Sequence, residues 1–180
     1  MSVFIFLATG FEEIEAIAPI DIFRRANLDV VTVSISDTKY VIGAHGISVA
    51  ADVLLADTDF RSADLLFLPG GMPGTKNLDA SEVLKQLISV QLDKNKPVAA
   101  ICAAPSILGK MGLLSGKEAV CFPGFENQLT GAMLSENKIV KSGIIHTAKG
   151  AGVAIQFALS LVAELKSQAE ADRIANSICL

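Results

Sequence analysis

A short apolar run that ends abruptly in a cysteine constrains the fold of this chain more than any other feature. Residues 97–101 carry no polar side chain, Cys102 follows directly, and a helix-like stretch begins near Pro105. Such a run is typical of a strand buried in a parallel sheet. A turn from strand to helix at Cys102 would place the sulfur at the carboxyl edge of the sheet, where open α/β folds bind ligands. A helix N-terminus also favours thiolate, so we expect a nucleophile of lowered pKa; the alternative is a cysteine that packs as a small hydrophobic residue.

The remaining sequence alternates apolar, strand-like runs with segments of helical period. This alternation predicts an α/β fold with a mainly parallel sheet, and the absence of repeats and linkers predicts one domain over residues 1–180. We expect strands at 3–7, 29–36, 65–68 and 98–101, hairpins within 40–55 and 139–147, and helices at 12–25, 81–94, 151–166 and 168–178.

Composition excludes several classes of function. The net charge is −4, tryptophan is absent, and no cluster of Lys and Arg is interleaved with aromatic residues, so we expect no nucleic-acid partner. No apolar run approaches the about 20 residues that span a bilayer, and the N-terminus is typical of a strand rather than a signal peptide. Three widely spaced cysteines and two histidines predict no disulfide framework and no metal site, and favour the reducing cytoplasm.

Two further clusters follow predicted strands and should reach the same sheet edge as Cys102. In the first, we expect Glu12 and Glu13 to be solvated in the first helical turn. Glu15 lies deeper; a carboxyl in a poorly solvated pocket would stay protonated and donate to a thiolate, unless it is an ordinary helix residue. In the second, the amides of Gly70 and Gly71 could form an oxyanion hole with that of Ala103, although a plain turn is the alternative.

The chain contains, in order, the motifs Phe11-Glu12-Glu13-Ile14-Glu15, Pro19-x-Asp21, Leu68-Pro69-Gly70-Gly71, Ala99–Pro105 and Thr147-Ala148-Lys149-Gly150-x-Gly152. Together, over residues 3–165, they closely resemble the ThiJ/PfpI superfamily, and among its members the deglycase-type proteins. The resemblance implies a flavodoxin-like sandwich with helices on both sheet faces and a nucleophile-elbow cysteine, and it implies a homodimer. It also implies that Cys102 is reactive, that Glu15 is its protonated partner, and that the Gly71 and Ala103 amides form the oxyanion pocket.

The sequence also departs from the family pattern. Peptidase-like members carry a histidine directly after the cysteine, where this chain has Ala103, so peptide hydrolysis is disfavoured. His45 stands where deglycase-type members carry an arginine, and Phe122 where they carry a histidine. We therefore keep His45 and Asp21 as possible site residues, with a surface position at a hairpin tip as the alternative for His45.

We expect three other residues of reactive types to have no role in the site. We expect His146 to be a hydrogen-bonded core residue, Cys121 to pack in the core, and Cys179 to be an exposed thiol near the C-terminus.

These features lead to two main hypotheses of function. The first is a cofactor-independent glyoxalase or deglycase for stress protection, which acts on methylglyoxal-type carbonyls through Cys102 and Glu15. The second is a redox-responsive, chaperone-like protein whose cysteine oxidises to sulfinic acid. A site that has become vestigial, in a protein whose role is binding, is a third alternative.

Overall fold

The computed structural model describes residues 1–180 and contains eleven strands and six α-helices. The strands are β1 (Ser2–Leu7), β2 (Asp29–Ser34), β3 (Tyr40–Ile42), β4 (Ser48–Ala50), β5 (Val53–Leu54), β6 (Ala63–Leu68), β7 (Val98–Ile101), β8 (Glu118–Ala119), β9 (Met133–Leu134), β10 (Ile139–Ser142) and β11 (Ile145–Ala148). The helices are α1 (Glu13–Arg25), α2 (Gly74–Asp79), α3 (Glu82–Asp93), α4 (Pro105–Lys110), α5 (Ala154–Leu165) and α6 (Gln168–Ser177).

Seven strands form the central sheet, in the order β10-β11-β7-β6-β1-β2-β5. Every neighbouring pair is parallel except β10 and β11, so the expected mainly parallel sheet is confirmed. The chain leaves β1 toward β2 on one side and later returns to β6 on the other. In open α/β sheets the crevice beyond the carboxyl ends of two such strands is the usual ligand site. The segments after β1 and β6 are those that contain Glu15 and the Gly70-Gly71 pair.

Helices cover both faces of the sheet, because successive side chains of each strand point to opposite sides. Val3, Ile5 and Leu7 of β1 belong to one core cluster with residues of α1, α5 and α6. Phe4 and Phe6 belong to the other, with residues of α2, α3 and α4. The strands are thus buried from both sides, which explains why their sequences are nearly continuous apolar runs.

The structure corrects several predicted boundaries. The second strand ends at Ser34 rather than at residue 36, and Glu12 caps α1 instead of beginning it, since its Oε2 accepts from the Glu15 amide at 2.8 Å. Residues Ala151–Val153 form a 3₁₀ turn before α5. Helix α2 and the small β8–β9 pair were not predicted, because such short elements carry too little periodicity. None of the helices is long and apolar enough to cross a membrane.

Candidate active site

Cys102 forms the turn between β7 and α4 in a conformation that few side chains adopt. Its φ is +64°, in the left-handed region, which costs about 1–3 kcal/mol unless the surroundings impose it. Two backbone hydrogen bonds impose it here. The Cys102 amide donates to the Ala148 carbonyl at 2.9 Å, and the Cys102 carbonyl accepts from the Phe122 amide at 2.8 Å. The half-buried thiol is thereby fixed at the carboxyl edge of the sheet.

Glu15 meets this cysteine from the first turn of α1. The carboxyl is almost completely buried, with the residue 1% exposed, and Oε2 accepts from the Gly70 amide at 2.9 Å. A Cβ added at Gly70 would lie 2.7 Å from both Oε2 of Glu15 and Cβ of Cys102. Only glycine at position 70 therefore allows the Glu15 carboxyl and Cys102 to pack against the same backbone position. The other carboxyl oxygen, Oε1, is buried and accepts no hydrogen bond of full geometry, although the Cys102 thiol and the Ala151 amide both act on this carboxyl.

The backbone amides of Gly71 and Ala103 are directed at the sulfur, and both favour its charged form. Gly71 has a φ of +92°, and a Cβ there would lie 2.3 Å from the Glu12 amide nitrogen, so the position requires glycine. Gly70 does not take the predicted oxyanion role, because its amide is already donated to Glu15. Two amide donors therefore remain for a developing negative charge.

Cys102 and Glu15 perturb each other's ionisation. Burial raises the pKa of Glu15 to about 7, although the interaction with Cys102 and the nearby amide dipoles oppose the shift. Burial and the Glu15 charge raise the pKa of the Cys102 thiol to about 12. Beside a charged Glu15 the thiol therefore does not have the lowered pKa that the sequence suggested, because α4 has only six residues and burial next to a carboxylate outweighs its dipole; thiolate near neutral pH requires the single charge of the pair to lie on Sγ.

These two values belong to the pair rather than to either group alone. The first proton leaves near pH 7, and the second leaves only near pH 12, because its loss places two negative charges side by side. Between these limits the pair carries one proton and one negative charge. Transfer of that proton from sulfur to the carboxyl places the charge on Sγ, where the Gly71 and Ala103 amides face it.

Glu13 is not the solvated carboxylate that we expected. It is 6% exposed, because the β3–β4 hairpin closes over it and its Oε1 accepts from the His45 amide at 2.8 Å. Its Oε2 lies 2.7 Å from Nδ1 of His45, whose side chain is 69% exposed. Burial would raise the pKa of Glu13, but the His45 hydrogen bonds outweigh it and lower this pKa, while the same contact raises the pKa of His45.

His45 therefore lies at an exposed hairpin tip, and its ring is hydrogen-bonded to Glu13 rather than directed at Cys102. Oxygen atoms of Glu12 and Glu13 and a His45 ring nitrogen lie within 4.8 Å of one another, which is the donor arrangement that could hold a metal ion. Asp21 is also outside the site. It is exposed and pairs with Arg25 at 2.7 Å, because six residues along α1 turn it to another face from Glu15.

The remaining sequence predictions have mixed outcomes. Cys121 is buried in the core and Cys179 is exposed, as predicted. His146 is buried, but its Nε2 has no hydrogen-bond partner, so the expectation of a fully hydrogen-bonded core histidine is wrong. Burial lowers the pKa of His146, which favours the neutral ring.

The sequence did not lead us to predict a cavity beside the site, although Lys149, Gly150 and Gly152 of its lining belong to one of the family motifs. A cavity of about 390 Å³ adjoins the site, and a Cβ at Gly150 in its wall would lie 3.2 Å from the Phe122 ring and 3.9 Å from Oε1 of Glu15. Its lining residues are Phe122, Pro123, Lys138, Lys149 and Gly150–Val153. The Lys149-Gly150-x-Gly152 spacing was the available signal.

The fold and site define a class of protein: a doubly wound α/β fold with a cysteine on a strand-to-helix elbow beside a buried carboxyl. Comparison with known proteins gives the same answer. The DJ-1/PfpI family matches residues 1–164, and the chain belongs to it. The resemblance noted in the sequence and the expected fold class are thereby confirmed.

Individual relatives agree over most of this chain. It is 37% identical to DJ-1 homolog B of Arabidopsis thaliana over 87% of its length and 36% of that protein's length. It is 30% identical to the glutathione-independent glyoxalase DJR-1.2 of Caenorhabditis elegans, over 94% of this chain and 90% of that protein. The oxidised structure of Toxoplasma gondii DJ-1 superposes with a TM-score of 0.95 at 36% identity, covering 99% of this chain and 97% of the other. The chain spans less than half the length of the Arabidopsis relatives that it matches.

Proposed function

We propose that this protein is a cofactor-independent enzyme of the glyoxalase or deglycase type, acting on small reactive carbonyls or their adducts. The observation that carries the proposal is the contact between a constrained cysteine and a buried carboxyl whose pKa is raised to about 7. A group that ionises near neutral pH is suited to take up and return a proton in one catalytic cycle. The glyoxalase name of the Caenorhabditis elegans relative supports the same reaction class.

The reaction begins when Sγ of Cys102 adds to the aldehyde carbon of a 2-oxoaldehyde and forms a hemithioacetal. The carbonyl oxygen gains the negative charge, which the Gly71 and Ala103 amides stabilise before the oxygen is protonated. Glu15, as the carboxylate, removes the proton from the former aldehyde carbon and gives an enediol. It then returns the proton to the neighbouring carbon, and the product is a thioester of a 2-hydroxy acid. Water hydrolyses the thioester, releases the acid and restores the thiol.

Turnover of methylglyoxal tests this proposal. We expect the native protein to form lactate, Cys102→Ser to form none, and Glu15→Gln to lose turnover while keeping its fold. In deuterium oxide the lactate should carry deuterium at C2 in the fraction of cycles in which Glu15 exchanges with solvent. Lactate formation by Cys102→Ser at the native rate would refute the assignment of the nucleophile.

A second function is supported by the accessibility of the same thiol. Cys102 is half-buried and forms no disulfide, and the superposed Toxoplasma gondii structure is described as oxidised. Attack of the thiolate on a peroxide forms an S–O bond and releases hydroxide, and a second peroxide gives the sulfinate. Mass spectrometry after limited peroxide treatment would show 32 Da added at Cys102 before any addition at Cys179. The chaperone-like role remains a hypothesis, tested by suppression of client aggregation with reduced and oxidised protein.

We also propose a homodimer in the reducing cytoplasm. Four isoleucines on α1 and the adjoining β3–β4 hairpin are between 40% and 57% exposed, and an apolar surface of this kind favours association with a second copy. They are Ile14, Ile17, Ile42 and Ile47. Light scattering should give twice the chain mass of 18.9 kDa, and Ile17→Glu should lower it to one chain. All three cysteines are free thiols, which suits a reducing compartment.

A further inference from the structure

Two lysines without carboxylate partners line the cavity beside the Cys102–Glu15 pair. Lys138 precedes β10 and Lys149 follows β11, and the Lys149 amide donates to the Lys138 carbonyl at 2.9 Å. The two side chains are therefore neighbours at the end of one antiparallel ladder. Because β11 runs parallel to β7, this end lies at the same sheet edge as Cys102.

The local structure gives no reason for two positive charges at this place. Like charges opposite each other on antiparallel strands are destabilising. The ten salt bridges of the structure involve neither Lys138 nor Lys149. Lys141, three residues along the same strand, shows the usual arrangement, since its Nζ lies 2.5 Å from a Glu164 oxygen. Lys149 also lines a second cavity together with Glu126 and Glu136, but it forms a salt bridge with neither.

A buried oxygen behind the wall of the cavity supplies an independent sign of a ligand. Oε1 of Glu15 is buried behind Gly150 of the cavity wall and accepts no hydrogen bond of full geometry, although the Cys102 thiol and the Ala151 amide both act on this carboxyl. A buried polar atom without a partner is uncommon and marks a place where a bound molecule can complete the hydrogen bonding. The cavity volume of about 390 Å³ lies within the range of small-molecule sites.

We propose that this cavity binds an anionic substituent, a carboxylate or phosphate, of the carbonyl compound that reacts at Cys102, and that Lys138 and Lys149 are the residues that select it. The inference rests on the proposed function and names its substrate class. The reacting carbonyl lies against Sγ, its oxygen accepts from the Gly71 and Ala103 amides or from Oε1 of the protonated Glu15 carboxyl, and the anionic end lies between the two ammonium groups. The lysines offset the negative charge of the Cys102–Glu15 pair, which otherwise repels an anion.

Alkylation of Cys102 tests the charge selection without requiring turnover. Iodoacetate and iodoacetamide alkylate sulfur by the same displacement of iodide at a CH2 carbon, but iodoacetate carries a carboxylate where iodoacetamide carries a neutral amide. The measurement is the ratio of their second-order rate constants at Cys102, read from the Cys102 peptide by mass spectrometry. Since both rates depend on the same thiol, the ratio cancels any change in its ionisation.

We expect Lys149→Met and Lys138→Met each to lower this ratio about threefold to tenfold, the order of magnitude for removing one unit charge beside a partly solvated anion. Lys149→Arg should keep the native ratio. Lys166→Met is the matched control for net charge, because Lys166 follows the far end of α5, about 18 Å of helix away from Val153. In 1 M NaCl the native ratio should fall toward that of the methionine variants. A native ratio in both methionine variants would overturn the proposal.

Turnover separates failure of this inference from failure of the proposed function. Methylglyoxal is compared with 3-phosphooxy-2-oxopropanal, its phosphate-bearing counterpart, and inorganic phosphate and pyruvate are tested as competitive inhibitors. We expect higher kcat/KM for the phosphorylated compound and loss of that preference in Lys149→Met; the better inhibitor identifies phosphate or carboxylate as the preferred anion. Equal kcat/KM for both compounds, with no inhibition by either anion, would overturn the inference and leave the glyoxalase function standing. If the alkylation ratio responds to the lysines but neither compound is turned over, the anion subsite stands and the glyoxalase function is wrong.

Discussion

Replacing Glu15 tests whether the negative charge of the catalytic pair reaches the sulfur. In the native protein we expect thiolate absorbance at 240 nm to appear in two steps. The first accompanies the proton lost near pH 7, and the second accompanies the proton lost near pH 12. The amplitude of the first step measures the fraction of the single charge that is on Sγ.

Glu15→Leu removes both the second charge and the donor that a protonated carboxyl presents to the thiolate. A hydrogen bond to a charged group contributes about 1.5–3 kcal/mol. Because one pKa unit corresponds to about 1.4 kcal/mol, loss of this hydrogen bond should raise the pH at which thiolate first appears by about one to two units. The step near pH 12 should disappear, because no neighbouring carboxylate is left to oppose the thiolate. Glu15→Gln keeps an N–H donor, so its thiolate should appear close to the native first step although turnover is lost.

Cys102→Ser supplies the baseline for this titration, since it retains Cys121, Cys179 and the single tyrosine, Tyr40. Two results would refute the reasoning. If native protein shows no thiolate below pH 10, the charge stays on Glu15, which then acts only as a base during attack. If Glu15→Leu has the native titration and native turnover, Glu15 is an ordinary buried helix residue.

Three further predictions concern the surroundings of the pair. Gly70→Ala would place a Cβ 2.7 Å from Cβ of Cys102 and from Oε2 of Glu15, so we expect loss of turnover and an unfolding free energy about 1–3 kcal/mol lower in urea melts. Gly152→Ala is the stability control, because a Cβ there would meet nothing within 4 Å. Equal losses of stability in the two variants would contradict the steric argument. The His45–Glu13 contact should stabilise the fold fully between pH 4.5 and pH 6.5, the ordinary pKa values of the two side chains. The stabilisation is lost at lower pH as Glu13 is protonated at its lowered pKa, and at higher pH as His45 loses its proton at its raised pKa. The urea midpoint difference between native protein and His45→Gln should therefore be largest near pH 5.5 and shrink by pH 9, and a constant difference would count against it. Iodoacetamide should label Cys102 with a rate that rises through pH 7 and should leave buried Cys121 unlabelled while the protein is folded; equal rates at the two sites would show that the site is open.

Local patterns in the sequence were sufficient for the architecture. Runs such as Val3–Leu7 and 97–101 are apolar throughout because their strands are covered on both faces, and that requirement is visible in each segment alone. The motif resemblance added the site pairing of Cys102 with Glu15, which are 87 positions apart and share no local pattern.

What failed were properties that depend on the neighbours of a residue. Glu13 has the sequence position of a solvated first-turn carboxylate, yet a hairpin some 30 residues later covers it. Gly70 lies in a motif that suggests an oxyanion donor, yet its amide donates to the Glu15 carboxyl instead.

The sequence by itself determined the order of the main strands and helices, the double burial of the sheet and the position of the candidate nucleophile Cys102, because hydrophobic periodicity and turn chemistry act over a few residues. Only the tertiary structure decided the ionisation of the Cys102–Glu15 pair, since a pKa depends on burial and on charges brought together from distant segments. The tertiary structure likewise placed Lys138 and Lys149 around one cavity, with the buried Oε1 of Glu15 behind Gly150 of its wall, because three separate parts of the chain meet there.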